Sequence, residues 1–95
     1  MEYREELHLC HGIKAIIAMY GLDLADIAQH IQKRNGSGSI LKTHLSDILS
    51  RKGKSRLRNY WAYMVPAINA ALAAKNNPTR ITEEDIRESA ERKAA

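Results

Sequence analysis

Eight of the fifteen lysines and arginines in this 95-residue chain fall between Lys33 and Arg58, where Asp47 alone opposes them. Lys33, Arg34, Lys42, Arg51, Lys52, Lys54, Arg56 and Arg58 give that stretch a net charge of +7. Residues 1 to 32 carry −3 and residues 59 to 95 balance five charges of each sign, so the overall +4 conceals a basic centre between acidic and neutral flanks. Ammonium and guanidinium groups gathered in this way suit a face that holds a polyanion, because each can neutralise a phosphate and release its counterion. Among the cations stand Thr43, Ser46, Asp47 and Ser50, short polar side chains at helical spacing. A helix face of that kind fits a nucleic-acid major groove, where bulky apolar side chains could neither pack nor read base edges.

Two other constellations carry less. His8, Cys10 and His11 offer the ligand types that zinc prefers, but on a helix Cys10 points away from His8, and no second Cys/His pair completes a tetrahedron. Tyr60, Trp61 and Tyr63 could stack on the bases of a single strand. Trp61 lies in the middle of an apolar stripe and is expected in the core, with Tyr60 and Tyr63 flanking it and available to an interface. Nothing resembles a nucleophile paired with a base, and Gly36-Ser37-Gly38 lacks the residues that would make it a phosphate cradle. The chain reads as a binding protein with no catalytic residue, no metal, no cofactor and no evident small-molecule ligand.

These residues must be positioned by helices. Leu9, Ile13, Ile16, Ile17 and Tyr20 recur at helical spacing, so Glu5 to Tyr20 reads as an amphipathic scaffold helix stopped by Gly21. Asp23 is a suitable N-cap for a second helix from Leu24 to about Lys33, with Leu24, Ile27, Ala28 and Ile31 as its stripe and Asn35-Gly36-Ser37-Gly38 as its breaker. Ser39 can cap a third, in which Leu41, Leu45, Ile48 and Leu49 point inward and Thr43, Ser46, Asp47 and Ser50 outward. A fourth begins at Ser55 and carries Leu57, Trp61, Met64, Val65, Ile68 and Leu72, with a kink or a fresh start expected at Pro66. Thr82 and the acids after it open a last helix, from 82 to about 93, whose apolar content is thin. No segment alternates like a strand.

The second and third of these segments, Gly21-Leu22-Asp23-Leu24-Ala25-Asp26-Ile27-Ala28-Gln29-His30-Ile31 and Leu41-Lys42-Thr43-His44-Leu45-Ser46-Asp47-Ile48-Leu49-Ser50-Arg51-Lys52-Gly53-Lys54, resemble helices two and three of the lambda-repressor-like (Cro/repressor, XRE-type) helix-turn-helix domains. Ala28 matches that family's buried Ala, Leu45-Ser46-Asp47-Ile48 its recognition-helix core, and Gly53-Lys54 the loop that follows. The chain departs from the pattern in its turn, elongated between Gln29 and His44, and at Leu24, where the family often places a Gln that meets a phosphate. The resemblance implies that Lys42, Thr43, Ser46 and Asp47 read bases, because the N-terminal residues of such a helix reach deepest into the groove. Lys33, Arg34, Arg51, Lys52, Lys54, Arg56 and Arg58 would then meet phosphates, which position without specifying. An alternative for Asp47 is to pair with Arg51 or simply to keep the surface soluble.

At 95 residues and 44% hydrophobic content, the chain suits one domain, with a core from about 5 to 75 and a C-terminal helix available to an interface. The expected architecture is an all-α compact bundle of about five helices containing a helix-turn-helix. Cys10 is the single cysteine, so no internal disulfide ties the fold to an oxidising compartment. Acids at Glu2, Glu5 and Glu6 occupy the place where a signal peptide would carry positive charge. The expectation is a cytoplasmic, nucleoid-associated regulator of a bacterial or phage-infected cell that binds double-stranded DNA, occupies an operator and has no membrane partner. One recognition helix marks too few base pairs, so a homodimer is expected, with Tyr60, Tyr63, Leu72 and Ile86 at its interface. Two rivals remain. One is a helical protein-interaction module of antitoxin or antirepressor type, and the other a nonspecific chromatin protein, since Arg80 to Ile86 looks like the start of the last helix of archaeal histones; the glycine-rich break at 35 to 38 opposes the second.

Overall fold

In the computed structural model, which describes residues 2–94, the first helix, α1, spans Tyr3–Tyr20. Leu9, Cys10, Ile13 and Ile16 are buried along one side of it. Gly21 ends it in the left-handed conformation (φ 62°), with its N–H donating to the Ala18 carbonyl and the Leu22 N–H to that of Ile17. Only glycine adopts that conformation without a steric penalty.

The second helix, α2, is a short turn, Leu24–Ala28. Asp23 caps it as expected, its carboxylate accepting from the Ala25 N–H at 2.9 Å. The expected extension to Lys33 is not formed. Ile31 and Ile40 are buried instead at the base of a small hairpin, where the Ile40 N–H donates to the Ile31 carbonyl at 2.9 Å and Gln32 bridges Ser39. Ser39 therefore caps nothing. The third helix, α3, spans Lys42–Ser50 with Leu41 at its N-cap and no side-chain cap. Leu41, expected to face inward, is 66% exposed, because a residue before the first helical turn does not share the stripe of Leu45, Ile48 and Leu49.

Ser55 likewise does not begin a helix. A 3-10 turn, Leu57–Asn59, comes first, and α4 spans Trp61–Ala74 as one uninterrupted helix through Pro66. Pro66 lies on the exposed side together with Ala62, whose carbonyl loses its usual partner to the proline. Water can satisfy that carbonyl, so the helix need not restart. The last helix, α5, spans Glu83–Ala94. It opens with a reciprocal cap, in which Thr82 Oγ1 accepts from the Asp85 N–H and Asp85 Oδ2 from the Thr82 N–H.

The architecture is an all-α bundle of five helices, with no strand among the described residues. Its most extensive pairing is between the two ends of the chain, α1 against α5. Gly12 makes that pairing possible, since a Cβ built there would lie 2.0 Å from the Ile86 carbonyl oxygen. The two backbones approach so closely that Ile86, Ser89 and Ala90 suffice to fill the contact. Across the same seam Arg87 reaches Glu5 at 3.2 Å, while within α5 it also pairs with Glu83, one turn earlier, at 2.9 Å. The radius of gyration, 12.5 Å, is close to the value of about 12.4 Å for a single compact chain of this length. Thus α5 belongs to the core and is not an appended arm.

Candidate nucleic-acid interface

Leu45, Ile48 and Leu49 anchor α3 in the core, which fixes what the helix shows to solvent. Thr43, Asp47 and Ser50 lie on the opposite side and are exposed. Lys42 and the half-buried Ser46 flank that side toward α1 and α2, with Ser46 on the wall of an open, mainly apolar groove that it shares with Ile17, Leu24 and Leu49. His44 occupies the other flank. Its ring meets Ser55 Oγ at 2.6 Å and packs edge-on against Tyr60 at 5.5 Å, tying α3 to the segment that follows it. The four residues expected to read bases are therefore together, and Ser50 joins them.

The expected phosphate contacts divide into two groups. Lys33 is half-buried, whereas Arg34, Lys52, Lys54 and Arg58 are exposed, and none of the five makes a salt bridge among the described residues. Arg34 and Lys33 ride on the hairpin before α3, and the other three follow the helix. Arg56 is turned back onto its own loop, donating from Nη1 to the Gly53 carbonyl at 2.8 Å and the Ser55 carbonyl at 2.9 Å.

Arg51 stands apart from the other cations of this stretch. It closes α3 in the left-handed conformation (φ 58°), and its guanidinium pairs with Glu6 of α1 and lies 4.1 Å from the centre of the Tyr3 ring. The side chains of Arg51 and Glu6 are 15% and 4% exposed, so this cation is an internal tie and not a phosphate contact. The alternative of an Asp47–Arg51 pair is excluded by the same geometry, which leaves Asp47 exposed and free to accept. Lys42 is held loosely, 3.7 Å from Asp23 with both groups more than half exposed. The Asp23 carboxyl sits below its ordinary range, first because it accepts from the Ala25 N–H and second because Lys42 is near.

The residues expected at a dimer contact are mostly interior. Tyr60 is 5% exposed, and Leu72 and Ile86 are fully buried, packed within the chain's own core. Only Tyr63, at 41%, reaches the surface. Cys10 is buried with its thiol donating toward the Ile48 carbonyl at 3.7 Å, and burial, reinforced by Glu6, pushes that thiol up to about 11.

Sequence reasoning missed the ties that orient α3. Glu6 was the signal for one of them: it falls on the buried stripe of Leu9, Ile13 and Ile16, and a carboxylate on a core face demands a buried cation. His44 gave no such signal, since nothing local marks Ser55 as its partner. Compared with protein families, with curated proteins and with solved structures, the chain finds no match in any of the three. The functional reading rests on the geometry and on the residues themselves.

Proposed function

We propose that this chain is a sequence-specific double-stranded DNA-binding regulator of the lambda-repressor-like helix-turn-helix kind, acting in the cytoplasm by occupying an operator. The observation that carries the reading is the setting of α3. Its outward face is short and polar at Thr43, Asp47 and Ser50, and uncommitted cations stand on the loops at both of its ends. Thr43 suits a thymine methyl, Lys42 a guanine and Asp47 a cytosine amino group. Lys33, Arg34, Lys52, Lys54 and Arg58 suit the phosphates on either side. Five such contacts correspond to a salt-dependence slope of about −4.5 per protomer.

Operator occupancy needs more information than one helix supplies, so the reading includes a homodimer on an inverted repeat with half-sites about 10 base pairs apart. With Tyr60, Leu72 and Ile86 interior, the surface left for it after Trp61 is the outer side of α4, where Ala62, Tyr63 and Pro66 are exposed. Selection from a random duplex pool, followed by gel shift at two salt concentrations and a mass measurement in solution, tests both parts. A single enriched sequence supports the regulator, uniform binding turns the reading into a chromatin protein, and no binding turns it into a protein-interaction module. A monomer on an asymmetric footprint removes the dimer and leaves the helix-turn-helix reading standing.

A further inference from the structure

We infer that the hairpin Gln32–Ser39 is a second DNA-reading element, which crosses the phosphate backbone beside α3 and sets Arg34 in the adjacent minor groove. The inference rests on the DNA-binding reading of α3 and adds a contact of a different kind.

The first support is that the hairpin is built and attached. Its base is fixed by Ile31 and Ile40, 0% and 3% exposed, and by the Gln32–Ser39 bridge. Above the base the Lys33 N–H donates to the Gly38 carbonyl at 2.7 Å and the Gly36 N–H to that of Lys33 at 3.0 Å, while Asn35 Oδ1 accepts from both the N–H and the hydroxyl of Ser37. Gly36 and Gly38 take positive φ, 76° and 119°, where a side chain would be strained. Two residues beyond Ile40, α3 begins. A shift of the hairpin therefore carries through two buried anchors to the reading helix.

Its position supplies the second. The N-terminal end of a recognition helix lies deepest in the major groove, so the chain leading into it must pass over one wall of that groove, which is a phosphate backbone. Between the hairpin and the start of α4 lies an open depression of about 290 Å³, lined by Gln32, Lys33, Arg34, Asn59 and Tyr63. The Gln32 and Asn59 amides, the Lys33 ammonium and the base of the Arg34 side chain line it, and amide and ammonium groups are donors of the kind a backbone phosphate accepts from. On this reading a phosphate occupies that seat, and the tip of the hairpin extends past the backbone toward the neighbouring minor groove.

The chemistry of the tip supplies the third. From the bridge to the turn the ribbon reaches about 7–10 Å. Its end is Asn35-Gly36-Ser37-Gly38, with no bulky side chain, which suits the rim of a groove only about 6 Å wide. Arg34 is the exposed cation beside this slim end and has no salt-bridge partner among the described residues. A guanidinium in a minor groove is drawn to the strong negative potential of narrow A·T tracts, and is opposed where the guanine amino group fills the floor.

The test uses the duplex enriched by selection, with the flank next to the hairpin made as A·T, inosine·C or G·C pairs. Inosine·C carries the major-groove edge of G·C without the minor-groove amino group. The intact chain should bind A·T and inosine·C flanks alike and the G·C flank roughly tenfold more weakly. Arg34→Ala should bind all three alike, at about the level of the G·C flank, with the Thr43-dependent preference kept. Equal losses on every flank would make Arg34 a plain phosphate contact and overturn the inference, as would an unaffected variant. An intact chain that selects no duplex would overturn the DNA-binding reading itself, and this inference with it.

Discussion

Replacing Gly12 by Ala should destabilise the fold by prising α5 from α1. A Cβ at that position would lie 2.0 Å from the Ile86 carbonyl oxygen and 2.9 Å from both the Ile86 carbonyl carbon and its Cγ2. An ordinary contact begins near 3.4 Å, so one backbone must retreat by about 1.4 Å. The obstacle is main chain, which no rotamer change relieves. Overpacking of this kind costs about 1–3 kcal/mol and sometimes more. Alanine's better helix propensity returns up to about 1 kcal/mol. A backbone obstacle places the clash at the top of its range, leaving a net loss of about 2 kcal/mol. For a domain of this size that lowers the thermal midpoint by roughly 8–16 °C. Gly53→Ala is the control, because its added Cβ meets nothing within 4 Å but its φ is +69°, so only the left-handed penalty of about 1 kcal/mol applies. Thermal and urea unfolding of the two variants beside the parent decide the matter. A Gly12→Ala midpoint equal to or above that of the parent would refute the reasoning about the α1–α5 seam.

Glu6→Ala should cost about 3 kcal/mol, because it leaves Arg51 buried without its partner; urea unfolding reads this, and a loss below about 1 kcal/mol would mean that water reaches the guanidinium. Cys10 titrates near 11 in the folded chain against an ordinary 9.0, so the native state keeps its proton longer than the unfolded state. Its contribution is complete below about pH 9 and is lost as pH rises toward 11; a Cys10→Ala variant whose stability falls as steeply over that window would place the alkaline loss elsewhere. Thr43→Ala should relax preference at one or two base pairs by about 1–3 kcal/mol, and equal weakening on operator and random duplexes would remove it from base readout. Lys54→Ala should weaken binding to all sequences and reduce the salt-dependence slope by about one unit, and an unchanged slope would take it off the interface.

Helices with a long stripe and a glycine stop were legible in the sequence, and α1 follows its expected course almost to the residue. The sequence also marked the outward residues of α3 and the buried Leu45, Ile48 and Leu49, because one helical period fixes both faces. Boundaries set by distant packing were not legible. The run Leu24 to Ile31 has one continuous helical stripe, yet α2 stops at Ala28 because Ile31 packs beside Ile40 across the hairpin. The packing of α5 was not legible for a related reason: its apolar content is thin, and the compensating feature is Gly12, seventy-four positions before Ile86. A glycine inside an otherwise good helix carries a propensity cost of about 1 kcal/mol, and that cost is the local sign of a close approach.

The same distinction explains how α3 is held. Its ends contribute little, since Leu41 offers no capping side chain and Arg51 closes the helix in a conformation unfavourable to any residue with a Cβ. Its orientation is set from outside: Arg51 is fastened to Glu6, the Cys10 thiol reaches the Ile48 carbonyl, and His44 is joined to Ser55 and Tyr60. Two of these ties run to α1 and one to the segment that carries Lys54 and Arg58. The residues proposed to read bases and those proposed to meet phosphates are thereby fixed to one scaffold, though none of the ties lies on the exposed face. Loosening a tie therefore should act differently from removing a reader. A reader's loss changes which sequence is preferred, whereas a tie's loss tilts the whole helix and weakens every base contact while leaving the flanking cations in place. His44→Ala should accordingly lower affinity for the operator more than for random duplexes and leave the salt-dependence slope unchanged, a combination that neither Thr43→Ala nor Lys54→Ala would produce.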